Sequence, residues 1–463
     1  MSAAPLQIVI LAAGQGTRMR SSLPKVLYAV GGRPLLGHVL ATAHALLRDT
    51  AAAEPPVVVY GHGGEAIRAA FADVECRWAH QAIQRGTGDA VAAAADQLTA
   101  HGRVLVLCGD VPLLRPQTLA RLLDTPPDSL AILTASLDDP TGYGRIVRDA
   151  GGAVRGIVEQ RDASAQEQAL REVNTGTLLI PAARLHDWLG RLRADNAQGE
   201  LYLTDVVAQA VADGVPVHGV PAPSAAEVMG INDCAQLAQC EAEHRRRQAL
   251  RLMEAGVTVR DPARLDVRGE VSVGRDVCID VGVILEGTVH LGDGVQVGAH
   301  CIVRDSVIGA GARVEPFSLI DGARVGDGAC VGPYARLRPG TELAEQVHVG
   351  NFVEVKNARL GPGAKANHLS YLGDAQVGAR VNVGAGTITC NYDGANKHVT
   401  RIGDDAFIGS NSALVAPVTI GEGATIGAGS VVVRQAPADA LTVTRAPQKS
   451  VPGWRRPRKK PVP

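Results

Sequence analysis

The fold class predicted for this chain is α/β plus β: a doubly wound, Rossmann-like domain, one linking helix, and a parallel β-helix. Three observations carry that reading. Short apolar runs alternate with helix-spaced segments over 1–232, a turn-free charged segment covers 233–256, and aliphatic residues recur every sixth position from about residue 271.

Gln7-Ile8-Val9-Ile10-Leu11 is a continuous apolar run, as a parallel strand buried on both faces requires. Val57-Val58-Val59-Tyr60 and Val104-Leu105-Val106-Leu107 repeat the pattern, with glycine close behind each. Residues 34–48 have helical apolar spacing after a proline start. This alternation predicts a doubly wound sheet with ligands at the carboxyl ends of its strands. The first apolar run has no basic segment before it and flows into Gly14-Gln15-Gly16-Thr17-Arg18, so it reads as a first strand and not a signal peptide.

Residues 233–256 hold Glu241-Ala242-Glu243-His244-Arg245-Arg246-Arg247 and no turn residue until Gly256. The segment reads as a linking helix whose charge run forms a solvated face.

The period of six runs through Val273, Ile279, Leu285, Leu291, Val297 and Val303. It resumes after a phase slip at Val325, Val331, Leu337, Leu343, Val349 and Val355, and again at Ile402, Ile408, Leu414, Ile420, Ile426 and Val432. Six matches neither a helix nor a flat strand. It matches a triangular solenoid in which each hexamer forms one side and points its aliphatic inward. About nine coils stacked ~4.8 Å apart would give a prism about 40–45 Å tall. Residues 389–401 break the pattern, as a loop leaving the prism would. Residues 257–463 thus form a third region, ending in a basic tail that reads as solvated, with Trp454 packing at its start.

Composition narrows the function. With 46 Lys+Arg against 47 Asp+Glu the net charge is −1, which argues against a general nucleic-acid or acidic-membrane surface. No apolar stretch reaches the ~18 residues of a membrane span. The 8 cysteines show no zinc spacing and read as reduced thiols in a cytoplasmic protein.

The string Leu11-Ala12-Ala13-Gly14-Gln15-Gly16-Thr17-Arg18-Met19, with Lys25 beyond it, follows the first strand. Its glycines let backbone N–H groups approach phosphate oxygens, and Arg18 and Lys25 supply positive charge. It is neither a dinucleotide fingerprint nor a Walker loop. It resembles the signature of nucleoside-triphosphate:sugar-1-phosphate nucleotidyltransferases. Further stretches follow in that family's order: Gln81, Gly86-Thr87-Gly88, Cys108-Gly109-Asp110, Gly144, Glu159, Asn174 and Asn232. Taken with the repeats, nearly the whole chain is similar to the bacterial bifunctional N-acetylglucosamine-1-phosphate uridylyltransferase / glucosamine-1-phosphate N-acetyltransferase family.

That resemblance implies a first site in which Leu11, Ala12, Ala13, Gly14, Lys25, Gln81, Gly86, Thr87, Cys108, Gly109 and Asp110 meet UTP. Gly144, Glu159 and Asn174 would hold the amino sugar, and Asp110 and Asn232 would hold Mg²⁺. Arg18 and Lys25 would neutralise the reacting phosphates. Cys108 stands where relatives commonly have tyrosine, and Gln15 where a basic residue is frequent. Neither change removes a cation or a metal ligand.

A second constellation interrupts the solenoid at Arg338, Lys356, His368, Tyr371, Asn382, Ala385, Asn391 and Tyr392. Acetyl transfer from a thioester to an amine needs a base, and histidine suits that task. The resemblance implies His368 as that base, with Arg338, Lys356, Tyr371 and Asn382 on glucosamine 1-phosphate. Ala385, Asn391, Tyr392, Ser410, Ala428 and Arg445 would line the acetyl-CoA site. It also implies a left-handed, homotrimeric β-helix and a product, UDP-N-acetylglucosamine, that feeds cell-wall precursors. Two other readings stand beside this one: a nucleotidyltransferase with a scaffold solenoid, and a non-catalytic assembly subunit. The first has no use for His368 and Asn391-Tyr392, and the second has no use for intact Arg18, Lys25 and Asp110.

Overall fold

The computed structural model describes residues 5–14, 16–48 and 54–456. Within them the chain divides into two compact units, at Arg247 and Gln248.

The first unit is built on a 9-stranded sheet. Its strands are β1 (Leu6–Ala12), β2 (Val57–Tyr60), β3 (Arg77–His80), β4 (Arg103–Cys108), β5 (Leu130–Ser136), β6 (Arg145–Arg148), β7 (Val154–Val158), β8 (Glu172–Pro181) and β9 (Val217–Pro221). The order is β9-β5-β8-β4-β1-β2-β3, with β6 on β8 and β7 on β6. β8 runs antiparallel to β4 and β5, whereas β1 is parallel to both β2 and β4. Alternate residues of β1 enter two different cores, Ile8 and Ile10 on one face and Val9 on the other. Both faces are covered, which is why the run is apolar at every step. The parallel pairing sets Leu11 opposite Cys108. The segments leaving β1 and β4, which carry Gly14 and Asp110, therefore emerge side by side.

A helix spans Cys234–Glu254. Its charge run is not the solvated face expected of it. The Glu241 carboxylate accepts from the Gly31 N–H with both oxygens at 3.1 Å. Arg247 donates to the Leu113 carbonyl at 2.7 Å, and His244 is buried. Glycine is required at residue 31, where φ is +55° and an added Cβ would lie 2.1 Å from His244 Nε2. The charged side chains satisfy backbone groups at this packed contact, a use that periodicity alone does not reveal.

The second unit is a parallel β-helix. One side is an 11-stranded sheet, and a 17-stranded sheet wraps the other two sides. The 11 strands outnumber the nine coils expected, because pairing begins at Thr258–Val259 and continues to Leu441–Thr442. The aliphatic residues of the period-six pattern point inward and are buried, except for Val273, which is partly exposed near the first coil. They stack coil on coil, as in Leu337 against Val355 and Val349 against Ala366. The phase slip is a side one residue shorter, from Val303 to Ile308 and from Ile320 to Val325, with all four still buried. At one corner the chain repeatedly turns through left-handed residues: His300, Phe317, Tyr334, Phe352 and Leu369 have φ between 50° and 61°. The break in the pattern is a loop between the strands Ile388–Cys390 and Thr400–Ile402.

Trp454 is 69% exposed and packs on none of the described residues to any large extent. The remaining tail, 457–463, lies outside the described residues, as does Gln15. All 8 cysteines are free thiols. No helix among the described residues is long and apolar enough to cross a membrane.

Candidate functional sites

A cleft of about 470 Å³ opens at the carboxyl ends of β1 and β4. Leu11, Ala12, Ala13, Gly14, Lys25, Gln81, Gly86, Thr87, Cys108 and Asp110 all line it, although they come from five separate stretches of chain. Gly109 stands behind them and donates its N–H to the Leu11 carbonyl at 2.9 Å, tying the two loops together. Gly86 leads into the helix Thr87–Ala94 at φ 117°, and an added Cβ there would lie 2.5 Å from the Leu201 carbonyl oxygen. Gln81 is buried, and its amide donates to the Gly86 carbonyl at 3.1 Å and to Asp89 at 2.9 Å.

Charge concentrates at one end of this cleft. The Lys25 ammonium forms an ion pair with Asp110 and donates to the Asn232 amide oxygen at 3.2 Å. A cation therefore already lies between the two oxygens assigned to a metal. One carboxylate and one amide oxygen fit a hard ion that takes most of its ligands from phosphates and water. Arg18 is exposed on the short turn Thr17–Met19 and is not among the residues lining the cleft. Cys108 is held as a neutral thiol, pushed up to about 12 by burial and then by Asp110. It is wall, not nucleophile.

The sugar-side residues also come together. Asn174 donates its N–H to the Gly144 carbonyl at 2.8 Å. An added Cβ on Gly144 would lie 3.3 Å from the Glu159 carboxylate. This group reaches the nucleotide side through Gly176, whose N–H donates to Asn174 Oδ1 at 3.0 Å and whose carbonyl faces Cys108 Sγ. Burial raises the Glu159 carboxyl above its usual range, against the hydrogen bond that the Thr204 hydroxyl donates at 3.0 Å.

Sequence reasoning missed the segment that joins the two sides. Leu201 takes the Gly88 N–H at 2.8 Å, the Leu203 N–H donates to the Thr87 hydroxyl at 3.0 Å, and Thr204 holds Glu159. Glu200 lines the cleft itself, as does Gln84, whose amide donates to the Ala13 carbonyl at 3.0 Å.

On the solenoid, the coil register places the candidate base and four of the candidate acetyl-CoA residues, Ala385, Ser410, Ala428 and Arg445, in one corner column. The N–H of Leu369 bonds the Asn351 carbonyl, that of Gly386 bonds His368, that of Asn411 bonds Ala385, and that of Gly429 bonds Ser410. Asn351, His368, Ala385, Ser410 and Ala428 thus follow one another, one per coil. Arg445 closes the column by donating to the Ala428 carbonyl at 2.9 Å. Arg338, Lys356 and Tyr371 lie on the adjoining side, whereas Asn382 lies on the side before the corner.

Lys397, which sequence reasoning missed, presses on Lys356. Its ammonium, and then Arg338, push the Lys356 ammonium down, since neighbouring cations disfavour one another. Such a cluster is primed for a phosphate. Glu354, also missed as a site residue, accepts from Arg338 at 2.8 Å. Lys397 sits on the loop with Asn391 and Tyr392. Asn391 is anchored on Asp374, and Tyr392 is 62% exposed with its hydroxyl donating to the Gly394 carbonyl at 2.6 Å.

Fold and sites together define a nucleotidyltransferase domain joined to a hexapeptide-repeat transferase, the latter a left-handed parallel β-helix. The MobA-like NTP transferase domain family matches residues 8–253. The GMPPB C-terminal domain family matches 267–367, and the bacterial transferase hexapeptide family matches 400–434. Relatives extend over nearly the whole chain. The bifunctional protein GlmU of Alkalilimnicola ehrlichii is 57% identical over 98% of this chain and 97% of its own length. That of Stutzerimonas stutzeri is 58% identical over 98% and 100%, and that of an Azoarcus species 57% over 98% and 99%. The chain belongs to the GlmU family of bifunctional enzymes, and both of its transferase activities follow from that membership.

Proposed function

We propose that the chain acetylates glucosamine 1-phosphate with acetyl-CoA on the solenoid and then transfers UMP from UTP to the N-acetylated sugar phosphate in the α/β cleft. In the first step the amine attacks the thioester carbonyl, His368 takes the amine proton, and CoA departs as the thiolate, which becomes the thiol when that proton is passed to sulfur. Arg338, Lys356 and Tyr371 hold the sugar phosphate, with Asn382 beyond the corner. Ala385, Asn391, Tyr392, Ser410, Ala428 and Arg445 hold acetyl-CoA. In the second step a sugar-phosphate oxygen attacks the α-phosphorus of UTP and pyrophosphate leaves.

In the cleft Gly14, Gln81, Gly86 and Thr87 hold the nucleotide, while Gly144, Glu159 and Asn174 hold the sugar. Asp110 and Asn232 would hold Mg²⁺, which when bound supplies the positive charge that pyrophosphate departure demands. Lys25 serves the same phosphates, and Arg18, which does not line the cleft, is assigned to them as well. We place the enzyme in the cytoplasm, in keeping with its free thiols. We assign it a homotrimeric assembly through the solenoid.

The observation that carries this reading is the Lys25 ammonium lying between Asp110 and Asn232, at the mouth of a cleft lined by the phosphate-approaching glycines. The test is a coupled assay with acetyl-CoA, glucosamine 1-phosphate, UTP and Mg²⁺. Asp110→Ala is expected to lose about a thousandfold in pyrophosphate release and keep thiol release. His368→Ala is expected to lose roughly 10²–10⁴-fold in thiol release and keep pyrophosphate release from supplied N-acetylglucosamine 1-phosphate. Chelation of Mg²⁺ should stop the second activity alone. Wild type that never consumes acetyl-CoA would leave the solenoid as a scaffold.

A further inference from the structure

The base column begins one coil before His368, at a residue with no part in the roles given above. Asn351 and His368 are register partners in adjacent coils, and Asn351 Oδ1 lies 2.7 Å from His368 Nδ1. Their backbones are locked together. The Leu369 N–H donates to the Asn351 carbonyl at 3.0 Å, and the Ser370 hydroxyl donates to the His368 carbonyl at 2.9 Å. Each residue is followed by one in the left-handed region, Phe352 at φ 58° and Leu369 at φ 50°. Both coils thus turn the corner alike and present the two side chains in parallel. The coils touch here: an added Cβ on Gly350 would lie 2.0 Å from the Asn367 carbonyl oxygen.

We infer that Asn351 is a positioning residue for acetyl transfer, holding His368 in the tautomer whose Nε2 lone pair takes the amine proton. This rests on His368 being the base. An amide oxygen facing Nδ1 accepts the Nδ1–H both before and after Nε2 is protonated, so nothing need rotate during the reaction. The amide turned over would set its own N–H against the ring N–H of the imidazolium, donor against donor. A carboxylate in its place would also fix the tautomer, but would hold the imidazolium proton more tightly. The neutral amide orients without doing so.

Other charges around the ring are accounted for by neighbouring strands. His348 of the preceding coil pairs in register with Lys365 and interacts electrostatically with the ring, and is itself lowered by burial and then by Lys365 and Arg313. Lys365 lies on the same strand as His368.

The test uses the full-length protein, with thiol release from acetyl-CoA followed across the neutral pH range. Asn351→Ala is expected to lower kcat about tenfold to a hundredfold with KM for either substrate little changed. Asn351→Asp, which keeps the size of the side chain, is expected to move the acid limb of the kcat profile upward by about one pH unit. A role in folding alone would not shift that limb. Asn351→Asp therefore decides the matter whatever the alanine variant does to stability. An Asn351→Asp profile superimposed on wild type overturns the inference. If His368→Ala itself keeps thiol release, it is the reading of the base that has failed.

Discussion

The two catalytic regions of this chain are assembled on opposite plans. In the α/β unit, Lys25 meets Asp110 from 85 residues away and Asn232 from 207 away. On the solenoid, Asn351 and His368 meet across 17 residues, the length of one coil. The cleft exists only when β1, β4 and the segments beyond them have all found their places. The corner column is repeated local geometry, since each coil contacts only its neighbours. One consequence is rigidity in different currencies. The cleft is held by glycines wedged against backbone, the column by stacked aliphatics beneath it.

The largest effect expected is on the stack. Leu337 is fully buried between Ile320 and Val355. Leu337→Ala should cost about 3 kcal/mol through lost burial and the cavity left behind. Because the coils are coupled to neighbours, that loss should fall on acetyl transfer: thiol release should fail at a lower temperature than in wild type, with the inactivation temperature for pyrophosphate release unmoved. Equal shifts in both would show that the units stand or fall together.

A slightly smaller effect should appear in the cleft. Gly86→Ala puts a methyl 2.5 Å from the Leu201 carbonyl at a φ of +117°, a conformation only glycine adopts with ease. The contact cannot relax without moving the segment that joins Thr87 to Glu159. Uridylyl transfer should fall about a hundredfold, since misplacement on the ångström scale costs that much. Acetyl transfer by the same variant should equal wild type. A Gly86→Ala enzyme with normal pyrophosphate release would mean that the joining segment does not set the cleft's geometry.

The same contrast explains what could be read from the sequence. The solenoid announces itself because its inward positions recur at a fixed interval, and burial follows the prediction from Ile279 to Val432 with only the first coil loosened at Val273. The glycines proposed to meet phosphate are visible because Gly14 and Gly16 stand in one stretch just after the first strand. The Glu200 to Thr204 contacts are not visible, because a hydrogen bond between Leu203 and Thr87, 116 residues apart, leaves no local pattern. Asn351 escaped for a different reason: its role follows from register with His368, and register is known only once the short five-residue sides have been located. The charge run at Glu241 to Arg247 misled because charged side chains that satisfy backbone groups look, in sequence, like charged side chains that face water. The distant Lys397 belongs with the cations of Arg338 and Lys356 only after the loop has folded back.

The smallest effect concerns that charge run and separates the two units by acid. Glu243 is held down to about 2, first by the hydrogen bond from Arg246, against burial, and then by Arg247. Its folded value lies below its unfolded one, near 4.3 for a free glutamate, so the unfolded chain binds more protons between those two values. Stability in that window must therefore rise with pH, being present above the unfolded value and lost as pH falls through the folded one. Asp213 is also held to about 2, by hydrogen bonds from Arg191 and Trp188, and shares the window. Trp188 is fully buried and Trp78 lies in the same unit, so tryptophan emission during denaturant unfolding reports chiefly on the α/β unit. Glu243→Gln should flatten the fall of the unfolding midpoint through this acid window while leaving the midpoint's slope near neutrality unchanged. Asp213→Asn should flatten it separately, because the two carboxylates have different partners and additive effects are expected of independent sites. A Glu243→Gln midpoint that falls as steeply as wild type would mean that Arg246 and Arg247 hold the helix by their backbone and solvent contacts alone.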